Sequence, residues 1–328
     1  MASLFEKVTR AGFRVLGAQS PEKAGELAFW LFCRTPPVNP RRKKERAAIA
    51  KARGRMAEAE MTRLTTSSGS VATHMFRPAA DRADGERVLI VHGYGSRSDH
   101  MVAMADALVA TGKTAVCLDL PGHGASSGRR LHLGTAVEAI DAAWRQHGPF
   151  AAFVGHSFGG PSVMAAAAGA ILHVPARVPD RIVTIAAPSD MGDVFIWLGK
   201  RLGLGAAAQR AFERQVFRVS GRPLSEFRVD RMLHDVRLPM LAIHAEDDKE
   251  VAFSNAEAIA AIGPHVHLVK ANGFGHRRIV SAKPVIAAVA EFVSSGRPGA
   301  EIVDLPLCCG EGTNTASAAQ SPTKRKCA

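Results

Sequence analysis

Between a short apolar run, Ala151 to Val154, and a helical pattern through Ser162 to Leu172 lies Gly155-His156-Ser157-Phe158-Gly159, followed by Gly160. A serine flanked by glycines at this spacing passes from strand to helix through a sharp, strained turn. Side chains larger than hydrogen have no room beside it, and the hydroxyl is projected outward. A serine in a turn can also serve only as a helix N-cap. The strand before it and the helix after it favour a nucleophile, and they commit the surrounding chain to alternating strands and helices.

That alternation is present. Strands are expected at Val88 to Val91, Thr114 to Asp119, Ala151 to Val154 and Arg181 to Ala186, with helices through Met101 to Ala110 and Thr135 to Gln146. Two further strands, joined by a Ser/Gly turn, are expected between Arg63 and Phe76. Continuous β-rich runs separated by helices predict an α/β fold, a mostly parallel sheet with helices on both faces. The pattern breaks after Asp190 and resumes at Pro239 to His244 and His267 to Val269. The interval at about 190–237 reads as a helical cap inserted in the sheet order. The expected organisation is an N-terminal helical basic arm over 1–62, a catalytic domain over 63–295, and a tail over 296–328 rich in Gly, Ser, Thr, Ala and Pro, without periodicity and expected to be disordered.

Composition bounds the possible partners. With 47% hydrophobic and 22% charged residues the chain can bury a sizeable core. The net charge of +12 is uneven: residues 1–60 carry 13 Lys+Arg against 6 Asp+Glu, whereas residues 61–295 carry 25 against 21. The basic arm, with Arg41-Arg42-Lys43-Lys44, could touch phosphate or anionic lipid, a weak peripheral membrane contact, or could be a solvated helix face. No aromatic residues interleave with these charges, so no nucleic-acid partner is expected. The five cysteines form no CxxC and no regular framework, which fits a reducing compartment. Charges at Glu6, Lys7, Arg10 and Arg14 interrupt any signal-peptide core. The expected setting is cytoplasmic.

A serine hydroxyl needs a base held by a third group. Over about Val71 to Val293 the chain resembles the α/β-hydrolase superfamily, whose order is nucleophile, acid, histidine. The resemblance implies Ser157 as nucleophile and, in Asn272-Gly273-Phe274-Gly275-His276, His276 as base. In Ile243-His244-Ala245-Glu246-Asp247-Asp248-Lys249-Glu250-Val251 it selects Asp248 as the acid, with Asp190 the alternative. His92-Gly93-Tyr94 resembles the oxyanion loop, so the Tyr94 and Phe158 N–H groups are the implied donors. Asp119-Leu120-Pro121-Gly122-His123-Gly124-Ala125-Ser126 matches a further motif of the family, read as architectural.

The elbow serine argues against members that use a carboxylate or cysteine there, and the absence of His-Gly-Gly-Gly against the hormone-sensitive-lipase type. The histidines show no metal-ligand spacing, so catalysis is expected to need no cofactor. The expected activity is hydrolysis of a small-molecule carboxylic ester of fairly apolar character. The alternatives are a lysophospholipase, an acyl thioesterase, and a non-catalytic small-molecule-binding protein on the same fold. Within the cap, Val194, Phe195, Trp197, Leu198, Leu202, Phe212, Val216 and Phe217 read mainly as packing residues. Arg201, Arg210, Arg214, Arg218 and Arg222 read as a solvated face or, alternatively, as a site for a substrate carboxylate or phosphate.

Overall fold

A computed structural model describes residues 4–37 and 43–297. Arg41 and Arg42, Cys308, Cys309 and Cys327, and all but the first two residues of the expected tail lie outside the described residues.

Eight strands form one sheet: β1 (Glu60–Thr66), β2 (Gly69–Phe76), β3 (Arg87–Val91), β4 (Thr114–Asp119), β5 (Ala152–His156), β6 (Arg181–Ile185), β7 (Met240–His244) and β8 (Val266–Lys270). Their order is β1-β2-β4-β3-β5-β6-β7-β8. β1 and β2 pair antiparallel, as do β2 and β4, and the other pairs are parallel. β3 to β7 are the Val/Ile/Leu-rich runs, and nearly every residue in them is buried because helices cover both faces. β1 begins three residues before the expected Arg63, its exposed residues alternating as an edge strand's do.

The helices are α1 (Leu4–Gln19), α2 (Pro21–Cys33), α3 (Lys43–Glu58), α4 (Val102–Ala110), α5 (Leu133–His147), α6 (Gly159–Ala168), α7 (Met191–Leu202), α8 (Ala206–Ser220), α9 (Val229–Met232), α10 (Ser254–Ala260), α11 (Gly275–Arg278) and α12 (Lys283–Ser295). One core unites α5 and α6 with the cap helices, and the other unites α4 and α12 on the opposite face. α6 stops earlier than expected, at Gly169, whose φ of 60° ends the helix in the left-handed conformation. The chain runs from β3 outward to β4 and then returns past β3 to β5. This reversal opens a crevice between the carboxyl ends of β3 and β5, where ligands bind in open α/β sheets. Those ends carry His92 and Ser157.

The first two helices of the expected arm pack against the cap. α2 lies against α8 so closely that a Cβ on Gly25 would sit 2.5 Å from the Phe212 backbone nitrogen. Ala24, Ala28 and Phe13 are buried in the same core as the cap. Around this seam Glu6 pairs with Arg201 at 2.7 Å, Glu22 with Arg214 at 2.6 Å and Glu26 with Arg218 at 2.9 Å. Three of the five cap arginines are thereby neutralised by α1 and α2. Phe195, Leu202, Phe212 and Val216 are buried and Val194 and Leu198 partly so, whereas Trp197 and Phe217 are exposed.

Candidate active site

Each glycine of the elbow is fixed by backbone proximity. A Cβ on Gly155 would lie 2.5 Å from the Gly159 carbonyl oxygen, and one on Gly159 would overlap the Val91 carbonyl. Between them Ser157 has φ 51°, a left-handed conformation rare for a residue with a side chain. The Ser157 N–H donates to the Ile185 carbonyl at 2.8 Å, which anchors the strained residue to β6. Strain held in this way at one residue points the side chain out of the strand-to-helix turn.

Ser157, His276 and Asp248 come together from three loops. Ser157 Oγ lies 2.9 Å from His276 Nε2, and His276 Nδ1 lies 2.7 Å from Asp248 Oδ2. A carboxylate only accepts, so Nδ1 carries the proton and Nε2 presents its lone pair to the hydroxyl. The Asp248 side chain is fully buried, which alone would raise its pKa. Hydrogen bonds from His244 and His276 and from the Val251 and Glu250 N–H groups outweigh burial and hold the carboxyl far below its ordinary range. Asp190, the alternative acid, is committed elsewhere: its Oδ1 accepts the Gly192 N–H at 2.6 Å and caps α7.

The acid and histidine loops are tied together. Asn272 Oδ1 accepts the Glu246 N–H at 2.8 Å, Asp247 Oδ1 accepts the Gly273 N–H at 2.8 Å, and Arg277 pairs with Glu250 at 2.7 Å. Glu246 and Asp247 therefore brace the loops while Asp248 turns inward. Two histidines not singled out for this purpose also contribute. His156 Nε2 donates to the His276 carbonyl at 2.9 Å, and His244 Nε2 lies 3.3 Å from Asp248 Oδ2. Burial, followed by the electrostatic influence of His276, lowers the His156 pKa to about 4.

His92 fixes the loop after β3. Its Nδ1–H donates to the Gly93 carbonyl at 2.7 Å while Nε2 accepts the Leu120 N–H at 3.0 Å. The trans peptide then points the Tyr94 N–H away from His92. His123 Nε2 accepts the Gly95 N–H at 2.9 Å, so the second motif holds the first. Asp119 underlies both, accepting the Ser98 and Ala125 N–H groups at 2.8 Å each. Gly93 approaches the elbow so closely that a Cβ there would lie 2.8 Å from the Ser157 Cβ. The N–H groups of Tyr94 and Phe158 make no hydrogen bond among the described residues.

One contact had no sequence signal. The Tyr94 hydroxyl donates to the Arg34 carbonyl, so the segment after α2 reaches the loop beside the serine. Thr35 N–H donates to the Arg129 carbonyl at 3.0 Å, and Leu131 N–H to the Cys33 carbonyl at 2.7 Å. A pairing sixty residues apart through a backbone carbonyl leaves no residue-type signature. Among the described residues no helix is long and apolar enough to cross a membrane, and no group of three or more His, Cys, Asp or Glu is placed to hold a metal ion.

A family model described as the alpha/beta hydrolase family matches residues 88–308, well over half of the chain. A curated relative, the dihydrolipoyllysine-residue acetyltransferase component of the acetoin cleaving system of Cupriavidus necator, is 34% identical over 119 residues, or 35% of this chain. The chain spans only 29% of that relative's length. Among solved structures, Est1E from Butyrivibrio proteoclasticus superposes with a TM-score of 0.56 at 19% identity, covering 71% of this chain and 97% of that one. A putative lipase of Acinetobacter baumannii gives 0.54 at 16% identity over 79% and 99% of the two chains. The esterase domain of a Rhodothermus marinus protein gives 0.52 at 22% over 73% and 97%. These likenesses concern the fold.

Proposed function

Because the chain belongs to the alpha/beta hydrolase family, we propose that it is a serine hydrolase cleaving a carboxylic ester of fairly apolar character. The reading is carried by the Ser157–His276–Asp248 contacts at 2.9 and 2.7 Å, made by a serine with φ 51°. In the proposed reaction Ser157 Oγ attacks the acyl carbon as His276 Nε2 takes its proton. Asp248 keeps the imidazole in the required tautomer and stabilises its cation. The N–H groups of Tyr94 and Phe158 receive the charge on the carbonyl oxygen. Collapse of the tetrahedral intermediate expels the alkoxide, which His276 protonates. The imidazole then takes a proton from water as the water attacks the acyl-enzyme, and returns it to Ser157 as the acid departs.

Esters are favoured over amides by the names of the structural neighbours, several of which are called esterases. Between α2 and the cap lies an apolar depression lined by Phe29, Phe32, Met191, Phe195 and Phe227; its lining includes none of the triad residues, and we take it as the seat of an apolar substrate portion. The test is labelling by a fluorophosphonate probe together with hydrolysis of acyl esters and acyl thioesters of increasing chain length. Labelling and hydrolysis should both vanish in Ser157→Ala, with a loss on the order of a millionfold in turnover. A folded wild-type protein that takes no label would instead be a binding protein on this fold.

A further inference from the structure

Arg34 and Arg130 face each other across an isolated antiparallel bridge, which places their side chains on the same side of the pairing. Both guanidiniums lie over the Trp30 ring, at 5.4 and 5.7 Å from its centroid. Both residues are exposed. Neither pairs with a carboxylate among the described residues, and the segment that follows, Val38 to Arg42, carries none. The cap arginines Arg201, Arg214 and Arg218 each have a glutamate from α1 or α2. Two like charges held on one ring without a counter-ion repel, and a ligand anion between them would remove that repulsion while accepting two charge-assisted forks. The Arg34 carbonyl accepts the Tyr94 hydroxyl, so the backbone that carries Arg34 stands one side chain away from the loop beside Ser157. Chain connectivity also keeps the backbone of both arginines near the apolar depression. Phe32 precedes Arg34 by two residues and His132 follows Arg130 by two, and both line that depression. Two residues of chain span at most about 7 Å.

We propose that Arg34 and Arg130 form a binding site for an anionic group, a carboxylate or phosphate, on the substrate of Ser157. The substrate class is then an amphiphilic ester whose apolar part enters the cap and whose anion rests on the Trp30 platform. This rests on the hydrolase reading above, and it places the anion site on a pair outside the cap.

The test compares matched esters that differ only in charge. These are the mono-4-nitrophenyl ester of glutaric acid against 4-nitrophenyl valerate, and a monoacylglycerol phosphate against the monoacylglycerol. In the double variant Arg34→Gln/Arg130→Gln, kcat/KM for an anionic member should fall about 10- to 100-fold, chiefly through KM. The neutral members and the rate of fluorophosphonate labelling should be unchanged, which also reports that the variant is folded. Arg34→Lys/Arg130→Lys should recover part of the loss. An equal effect on charged and neutral members, or none, overturns the proposal. So does a loss confined to binding of vesicles containing anionic phospholipid, because the pair would then be a membrane contact. If wild-type Ser157 takes no label, the hydrolase reading fails separately. Calorimetric binding of the anionic glutarate ester to Ser157→Ala, lost on adding the two arginine substitutions, still reads the anion site, and binding unaffected by them overturns it.

Discussion

His244 at the end of β7 reaches back to Asp248, its Nε2 lying 3.3 Å from the same Oδ2 that His276 Nδ1 approaches at 2.7 Å. His244 Nε2 also lies 3.0 Å from the Val251 carbonyl, so one N–H spans the acid and the loop that carries it. This arrangement separates the acid from its alternatives in a measurable way. Asp248→Asn should lower kcat about 10,000-fold through loss of the correct imidazole tautomer. His244→Leu removes one donor to the carboxylate and should lower kcat about 10-fold with KM unchanged. Asp190→Asn, which alters the N-cap of α7 and an ion pair with Arg228, should leave kcat near wild type. A large loss in Asp190→Asn with a small one in Asp248→Asn would reverse the assignment.

The approach of Gly93 to the elbow gives a second prediction. A methyl group there would meet the Ser157 Cβ at 2.8 Å and His156 Nδ1 at 3.2 Å, so either the oxyanion loop or the serine must shift. Misplacing a reacting group by about an ångström costs on the order of 100-fold in rate, whereas overpacking costs about 1–3 kcal/mol of stability. Gly93→Ala should therefore remain folded by urea titration yet lose kcat on an activated ester about 100-fold. Gly54→Ala is the contrasting case, since nothing lies within 4 Å of a Cβ on that helical glycine. It should stabilise the protein by about 0.5–1 kcal/mol and leave kcat unchanged.

What the sequence made legible followed from local constraint. The turn around Ser157 has to be built from small residues, so its pattern survives in residue types alone. The acid could be chosen among Glu246, Asp247 and Asp248 only through a family offset, because the three differ in where the loop turns. His156 and His244 were visible as residues but not as supports, since their partners are backbone carbonyls and a carboxylate oxygen. The packing of the first two helices against the cap left no trace in residue types for a different reason. The contact face of α2 includes Ala24, Gly25 and Ala28, which carry little hydrophobic signal, and its partner lies nearly two hundred residues away. Its glutamates Glu22 and Glu26 pair with the cap arginines Arg214 and Arg218.

The seam between α2 and α8 yields a third prediction. Close approach at Gly25 is to backbone atoms, Phe212 N at 2.5 Å and Ala211 C at 2.6 Å, which cannot rotate away. Gly25→Val should lower the urea unfolding free energy of the full chain by at least about 1–3 kcal/mol. Glu22→Gln, which breaks an exposed pair with Arg214, should cost less than about 1 kcal/mol. Equal stability of Gly25→Val and wild type would mean that the two helices do not touch in solution as described.

The buried histidines predict how stability depends on pH. Burial foremost, reinforced by His123, lowers the His92 pKa from the ordinary 6.5 to about 3, and burial with His276 lowers that of His156 to about 4. Below pH 6.5 the unfolded chain takes up a proton at each position that the folded chain refuses, so folding is weakened as pH falls. The loss accumulates down to the folded value, about 4 for His156, and above 6.5 the full contribution is present. Each group then contributes about 1.4 kcal/mol per pH unit inside its window. Asp119 and Asp248, both held below the ordinary carboxylate value of 3.8, act in a separate window: their contribution is present above that value and is lost as pH falls beneath it. Urea unfolding at pH 7 and pH 5 covers most of the His156 window and lies above that of Asp119 and Asp248. In His156→Gln, whose amide can still donate to the His276 carbonyl, the drop in unfolding free energy between those two pH values should be smaller than in wild type by about 2 kcal/mol. An identical drop in the two proteins would show that His156 is not held neutral.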